Sequence, residues 1–389
     1  MEKIELPSRR FTDIATSVGI NDIVNLSNQL EAKGRKIYHL EMGRPDFDSP
    51  KLAKDAVKKA LDDGFVHYPD LKGVYELRLA VSKKLKRENG IDISPENVLI
   101  TVGAQGALMA VMMTVLNEGD EVIVPTPCFG AYPGTCKILG AKMIAAVCKQ
   151  EDGFVLRASA VEPLVTDRTR MIMINTPNNP TGAIIDRAEL EGIAEIAKKH
   201  DLLVVSDECY EHFQYDGRHV SIASLPGMED RAVTVGAASK TYSMTGWRVG
   251  YLGMPSWLSS YATRTHIYMT TCPTIFAQYG YAEALDRADD DVRAMVREYK
   301  ERRDLVAGYL KEMEKIDFVM PRGAFYFFPS IKRTGMSAAE FCGNILEKAG
   351  VALVPGEAFE APGFVRLAYC KPKDYLVEAM ENIKSAMAR

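Results

Sequence analysis

The 389-residue sequence has no apolar run approaching the roughly 20 residues that span a bilayer. Its first residues, MEKIELPSRRF, have neither the apolar stretch nor the small-residue cleavage site of a secretory signal. A soluble, cytoplasmic protein is therefore expected. The seven cysteines are odd in number, scattered and without CxxC spacing, which argues against a disulfide framework and against a zinc site; no metal is expected. The net charge is only −4 and no basic block or aromatic-basic interleaving is present, so nucleic acid is not an expected partner and a small-molecule substrate is. No linker rich in Pro, Gly or Ser, no internal repeat and no low-complexity segment divides the chain. With 47% apolar residues over this length, one large domain and a smaller companion packed closely against it are expected.

What is present is a regular alternation. Ile14, Val18, Ile23, Leu26 and Leu30 recur at roughly helical spacing, and Gly34 closes the run as a C-cap. A short strand around Ile37 to Leu40 breaks at Gly43 and Pro45, and Ser49-Pro50 opens a helix reaching about Leu61. Val74, Leu77, Val81 and Leu85 share one face of a further helix, a core stripe. From Val98 the short apolar runs VLIT, EVIV, MIAAV, MIMI, LLVV and AVTV mostly alternate with helical stretches such as AELEGIAEIAKKH, which predicts a mostly parallel sheet covered by helices on both faces. Beyond about Asp290 a charged helix, the strands FVMPRGAFYFFPS, VALVPGEAF and FVRLAYC, and a terminal helix read as a smaller α+β domain. The predicted division is 1–45, joining the small domain; 46–289, the large domain; and 290–389, the small domain, so that the small domain is built from both chain ends.

In a sheet of this kind ligands bind beyond the carboxyl ends of the strands. The residues found there are Gly103, Ala104 and Gln105 after VLIT, Phe129 after EVIV, Asn175 to Asn179 after MIMI, Asp207 and Tyr210 after LLVV, and Ser239 and Lys240 after AVTV. Lys240 reads as a lysine on a loop between two buried strands, an amine that can be desolvated and made nucleophilic. Arg248 reads as embedded in the second strand among Trp247, Val249 and Tyr251, a cation that needs an anion and can hold a phosphate. The strand, small-residue turn and helix at 98–106 also suit a phosphate, although the turn is neither a Walker A loop nor GxGxxG. Each residue taken alone has a plainer explanation: Asp207 as a helix N-cap, Asn179 as a turn residue before Pro180, Phe129 as core, Tyr68 as a surface tyrosine. Convergence on one crevice favours a common ligand.

The segments SKTYSMTGWRVGY, NTPNNPTG, SDECY and FVRLAYC together resemble the fold-type-I pyridoxal-phosphate aminotransferases of class I/II, the group with aspartate, alanine and aromatic aminotransferases. The resemblance implies pyridoxal 5'-phosphate held as an imine on Lys240, which, once displaced by the substrate amine, moves the Cα proton. It implies that Asp207 keeps the pyridine nitrogen protonated, that Tyr210 and Asn179 bond the ring hydroxyl, and that Phe129 stacks on the ring. The phosphate would meet the backbone of Gly103, Ala104 and Gln105 and the fork of Arg248. Relatives often place a hydroxyl where this chain has Ala237, so one phosphate hydrogen bond is missing or comes from Ser239 or water. Arg366 would grip the substrate α-carboxylate, with Gly43 and Ile20 bordering the substrate. Tyr68 would reach the neighbouring subunit's phosphate, which implies a homodimer, and substrate would draw the two domains together. The expected reaction is ping-pong exchange of an amino group between an L-amino acid and a 2-oxo acid such as 2-oxoglutarate. A C–S β-lyase, or a non-catalytic binding or regulatory relative, is the alternative. Aspartate, alanine, aromatic and branched-chain donors all remain open.

Overall fold

The fold is that of a computed structural model in which residues 20–388 are described. After a helix, Ile20–Ala32, comes a short strand β1, Tyr38–His39. Seven strands then build one sheet: β2 Val98–Thr101, β3 Glu121–Thr126, β4 Lys142–Val147, β5 Thr169–Asn175, β6 Leu203–Asp207, β7 Ala232–Ala237 and β8 Gly250–Gly253. Their order is β2-β8-β7-β6-β5-β3-β4. Every pairing is parallel except those of β8, which runs antiparallel to both β2 and β7.

The sheet is apolar on both sides because both sides are covered. Side chains alternate along each strand. Ile123, Ile172 and Val204 therefore meet Leu190, Ile193 and Ala197 of the helix Arg187–Lys199. Their neighbours Val122, Val124, Met173 and Val205 meet Ala107, Leu108 and Val111 of the helix Gly103–Val115 on the opposite side. Each such fully buried aliphatic side chain contributes roughly 1.5–3 kcal/mol.

The remaining strands are β9 Tyr326–Phe327, β10 Val351–Ala352, β11 Val354–Pro355 and β12 Val365–Ala368. Three of them form an antiparallel sheet in the order β11-β12-β9, while β10 pairs in parallel with β1. The helix Ala338–Ala349 beside them starts at a capping box between Ser337 and Glu340 and stops at left-handed Gly350. It packs with the helix Lys373–Met387 and the distal part of the long helix Asp289–Lys311 into one apolar cluster.

Several local expectations are revised. Of the leading helix, Ile14 and Val18 lie outside the described residues; the described part ends at Ala32, Gly34 follows with φ 84°, and Leu26 is 43% exposed rather than on the core face. Leu85 is buried, but the regular helix stops at Lys84 and continues as a wider π turn, Leu85–Asn89, before left-handed Gly90.

Candidate active site at the strand ends

A cavity of about 380 Å³ opens beyond the carboxyl ends of the large sheet and against the smaller one. At its floor Asp207 ends β6 and is the register partner of Asn175, which ends β5. Asn175 Nδ2 donates to the Asp207 carbonyl oxygen at 3.0 Å, and Asn175 Oδ1 accepts from the Asn179 backbone N–H at 2.8 Å. One carboxamide thus ties the Asn179 loop to the neighbouring strand. The Asp207 carboxylate accepts from the Tyr132 hydroxyl at 2.8 Å and from the Cys209 N–H at 3.2 Å. Burial pushes this carboxyl up from its ordinary range, and those two donors oppose the push.

Tyr210 is buried, and its hydroxyl lies 2.8 Å from that of Tyr326, which comes from β9. Burial drives the Tyr210 phenol far up, so it carries its proton. Arg366, from β12, is 2% exposed. Its Nη1 donates to Asn179 Oδ1 at 3.0 Å and its Nη2 to the Glu41 carbonyl oxygen at 2.6 Å. The guanidinium lies over the rings of Tyr326 and Phe359 at 4.6 and 4.7 Å, and its Nε has no partner among the described residues. Among the described residues no carboxylate forms an ion pair with Arg366.

Lys240 is not on an open loop: it occupies a short helical turn, Ala238–Thr241, directly after β7. Its Nζ donates to the Gly43 carbonyl oxygen at 2.7 Å. Enclosure by protein pulls its pKa down to about 8; Cys370 and Cys209 oppose this, and the charges of Arg366 and Arg248 assist it.

Arg248 also departs from expectation. It is exposed, has a left-handed backbone with φ 55°, and precedes β8 instead of lying inside it. Because β8 is reversed, its start lies at the same edge as the other strands' ends, which brings Arg248 to the cavity. Its Nη1 donates to the Thr245 carbonyl oxygen at 3.0 Å, and no carboxylate among the described residues pairs with it. Behind it lies Gly103, the first residue of the helix Gly103–Val115, with φ 65°; a Cβ there would stand 2.5 Å from Arg248 Nη2. A Cβ on Gly250 would in turn come within 2.7 Å of the Gly103 carbonyl carbon. Two glycines therefore let a guanidinium and the N–H groups of a helix start share one spot.

Ala104, Gln105, Phe129, Ser239 and Gly43 line this same cavity, as does Ala237. Phe129 meets Tyr132 edge-on at 5.9 Å. Tyr68 does not line it: it is 83% exposed. Ile20 begins the first described helix, and its side chain lies outside the described part. The sequence reading missed Tyr132 and Tyr326. Tyr132, three residues after Phe129, was one tyrosine in a helical stretch, and Tyr326 was hidden in the aromatic run FYFF.

Residues 35–383 match the family described as aminotransferase class I and II. The chain belongs to this family. It is 43% identical over 357 residues to aromatic-amino-acid aminotransferase 2 of Thermococcus litoralis, covering 90% of this chain and 92% of that one. It is 41% identical over 377 residues to an aspartate aminotransferase of Pyrococcus abyssi, covering 94% and 97%. A solved structure of the aspartate aminotransferase from Thermus thermophilus with maleate superimposes with a TM-score of 0.93 at 35% identity, covering 98% of this chain and all of that one. The chain is a transaminase of the class I and II family, and these relatives do not favour the β-lyase alternative.

Proposed function

We propose that this transaminase uses pyridoxal 5'-phosphate, bound in the cavity at the strand ends, to pass an amino group between an L-amino acid and a 2-oxo acid. The observation that carries the reading is a set of mismatched charges in one cavity. Among the described residues, a partly buried amine and a buried guanidinium there lack a counter-anion, and a buried carboxylate lacks a counter-cation. The cofactor and an amino acid fit all three. Asp207 would face the ring nitrogen, Lys240 the aldehyde carbon, and Arg248 with the N–H groups at Gly103, Ala104 and Gln105 the phosphate.

When bound, the cofactor supplies an electron-withdrawing ring that stabilises negative charge on the substrate's Cα. The chain's own residues do the rest. Arg366 holds the α-carboxylate through its fork, orienting the Cα–H bond. Lys240, with its pKa near 8, is available as a neutral amine and takes and returns the Cα proton. Asp207 would stay charged against a protonated ring nitrogen, and Tyr210 and Asn179 would donate to the ring oxygen. Phe129 and Ser239 line the cavity, where Phe129 would cover a ring face and Ser239 would offer the phosphate the hydroxyl that Ala237 lacks. Gly43, whose carbonyl holds Lys240, borders the substrate, and Ile20 stands on the helix leading to it.

The division into 1–45 with 290–389 around 46–289 is supported by the β1–β10 pairing, and closure of the two parts would exclude water. A homodimer, with Tyr68 directed to the partner's phosphate, accounts for an exposed tyrosine outside the chain's own cavity. A cytoplasmic location is supported by free cysteines and by the absence of a described helix long and apolar enough to cross a membrane. Incubation with a panel of amino donors and 2-oxoglutarate is expected to yield glutamate and each donor's oxo acid in equal amounts. Pyruvate and ammonia from cystathionine without an acceptor, and no transfer with one, would overturn the reading. Borohydride is expected to fix the cofactor to the wild type and not to Lys240→Ala.

A further inference from the structure

Behind the cavity, on the far side of the turn that follows β6, lies a second group of charges. Lys84 is 1% exposed at the end of the helix Tyr75–Lys84. Its ammonium donates to the Glu211 carboxylate and, at 2.8 Å, to Asn89 Oδ1. Asn89 Nδ2 donates onward to Glu211 Oε2 at 2.7 Å and to Glu208 Oε2 at 3.1 Å. Glu208, also 1% exposed, accepts in addition from Ser206 Oγ at 2.8 Å, Ser221 Oγ at 2.6 Å and His219 Nε2 at 3.0 Å. His212 completes the group: Nε2 lies 3.1 Å from Glu88 Oε2, and Nδ1 lies 3.3 Å from the hydroxyl of Thr241, the neighbour of Lys240.

Glu208 and Glu211 bracket Cys209 and Tyr210, and Glu208 directly follows Asp207. Whatever fixes these two carboxylates fixes the turn that carries the two groups facing the cofactor. Glu208, Glu211 and His219 have ligand atoms within 4.8 Å of one another, a spacing that suits a cation, and Lys84 already supplies that positive charge. We propose that Lys84 is a positioning residue of the transaminase site: through Glu211, and through Asn89 to Glu208, it holds the turn that presents Asp207 and Tyr210. The inference rests on the roles given above to those two residues.

The electrostatics agree with the geometry. Burial would raise Glu211, but Lys84, His212 and His219 hold its carboxyl well below the usual range. Burial would lower His219, but Glu208 and Glu211 raise it. The titratable and charged groups facing the cluster include Lys84, Arg87 and Glu88 at the helix end, Glu208, Cys209, Glu211, His212, Arg218 and His219 after β6, Tyr242 beside the lysine turn, Tyr251 in β8, Tyr281, and Asp289 and Arg293 at the start of the long helix.

The test compares Lys84→Met, Lys84→Arg and the double variant Lys84→Met/Glu211→Gln as cofactor-loaded enzymes. The measurements are kcat and KM for one amino donor, melting temperature, and the pH midpoint of the bound cofactor's absorption change. Lys84→Met is expected to lower kcat about 10- to 100-fold, the scale of a small misplacement, with KM within about twofold because Arg366 is untouched. Its absorption midpoint should rise by about half a pH unit or more, because a buried cation is gone. Lys84→Arg, which keeps the charge, should recover most of the loss. The double variant removes the orphaned carboxylate, so it should melt near the wild type and keep the lowered kcat. Wild-type kcat in the double variant, whatever its single-variant parent does, would overturn the proposal. If the wild type moves no amino group from any donor, the transaminase reading fails, while the absorption midpoints of the variants still report on the turn.

Discussion

Two lysines deep in this protein have opposite surroundings. Lys84 meets a carboxylate and a carboxamide oxygen, and its charge is matched where it sits. Lys240 meets a carbonyl oxygen, from Gly43, and enclosure by protein, helped by the charges of arginines 366 and 248, pulls it towards neutrality. Two arginines repeat the contrast. Arg302 is 5% exposed and ion-paired to Asp46 at 2.8 Å and Glu298 at 2.9 Å, whereas Arg366 at 2% exposure has a carboxamide, a carbonyl and an idle Nε. Arg302 and Arg366 are alike in burial, and Lys240 is partly buried where Lys84 is fully so; what sets the members of each pair apart is the counter-charge. A buried cation that the chain itself leaves unmatched is costly, and where it persists it marks the place of an anion from outside.

The comparison can be broken in three places. The largest effect is expected from Lys240→Ala, which removes both the attachment point and the proton carrier and should lower kcat by about 10⁴-fold or more in steady-state assays. Loss of activity together with a collapsed melting temperature of the cofactor-free chain would instead make Lys240 a structural residue. Next, Arg366→Lys keeps the charge and loses the fork, so kcat/KM for the amino donor should fall about 10- to 100-fold, mainly through KM. Arg302→Lys, whose anions are internal, should cost about 1 kcal/mol of stability and leave KM alone; equal KM effects in the two variants would erase the distinction. The gentlest test is pH. Below about 8 Lys240 is mostly protonated and cannot attack, so the rate at which the cofactor-free chain bonds an aldehyde should rise about tenfold per unit and level off above that value. Removing a neighbouring cation, as in Arg366→Met, should move the break upward; an unchanged break would mean that burial alone sets it.

Much of the large sheet was legible because both of its faces are buried, so runs such as MIMI and LLVV are apolar without interruption. The strand order and the reversal of β8 were not, since no local signal distinguishes a parallel from an antiparallel partner when both faces are covered. Asp207 stood out because it ends a strand, and Lys240 because it follows one closely. The hydroxyls of Tyr132 and Tyr326 reach the site from elements far away in sequence, and only folding brings them in. Lys84 was hidden for another reason: in VSKKLKREN it is one lysine among several, and a charge run reads as a solvated face. Arg248 was misplaced into a strand because its apolar neighbours Trp247 and Val249 extend the pattern of β8 backwards over a turn.

The reversed strand β8 also sets a limit on how this chain can be altered. Lys240 and Arg248 are eight residues apart, joined by the lysine turn and one further tight turn, and both reach the cavity from this single segment. The tether works as a ruler between the two ends of whatever is held there. Lengthening a connection on the amino side of the sheet would leave that ruler intact, whereas one extra residue between Thr241 and Trp247 would change its length and spoil the grip at one end without touching either side chain.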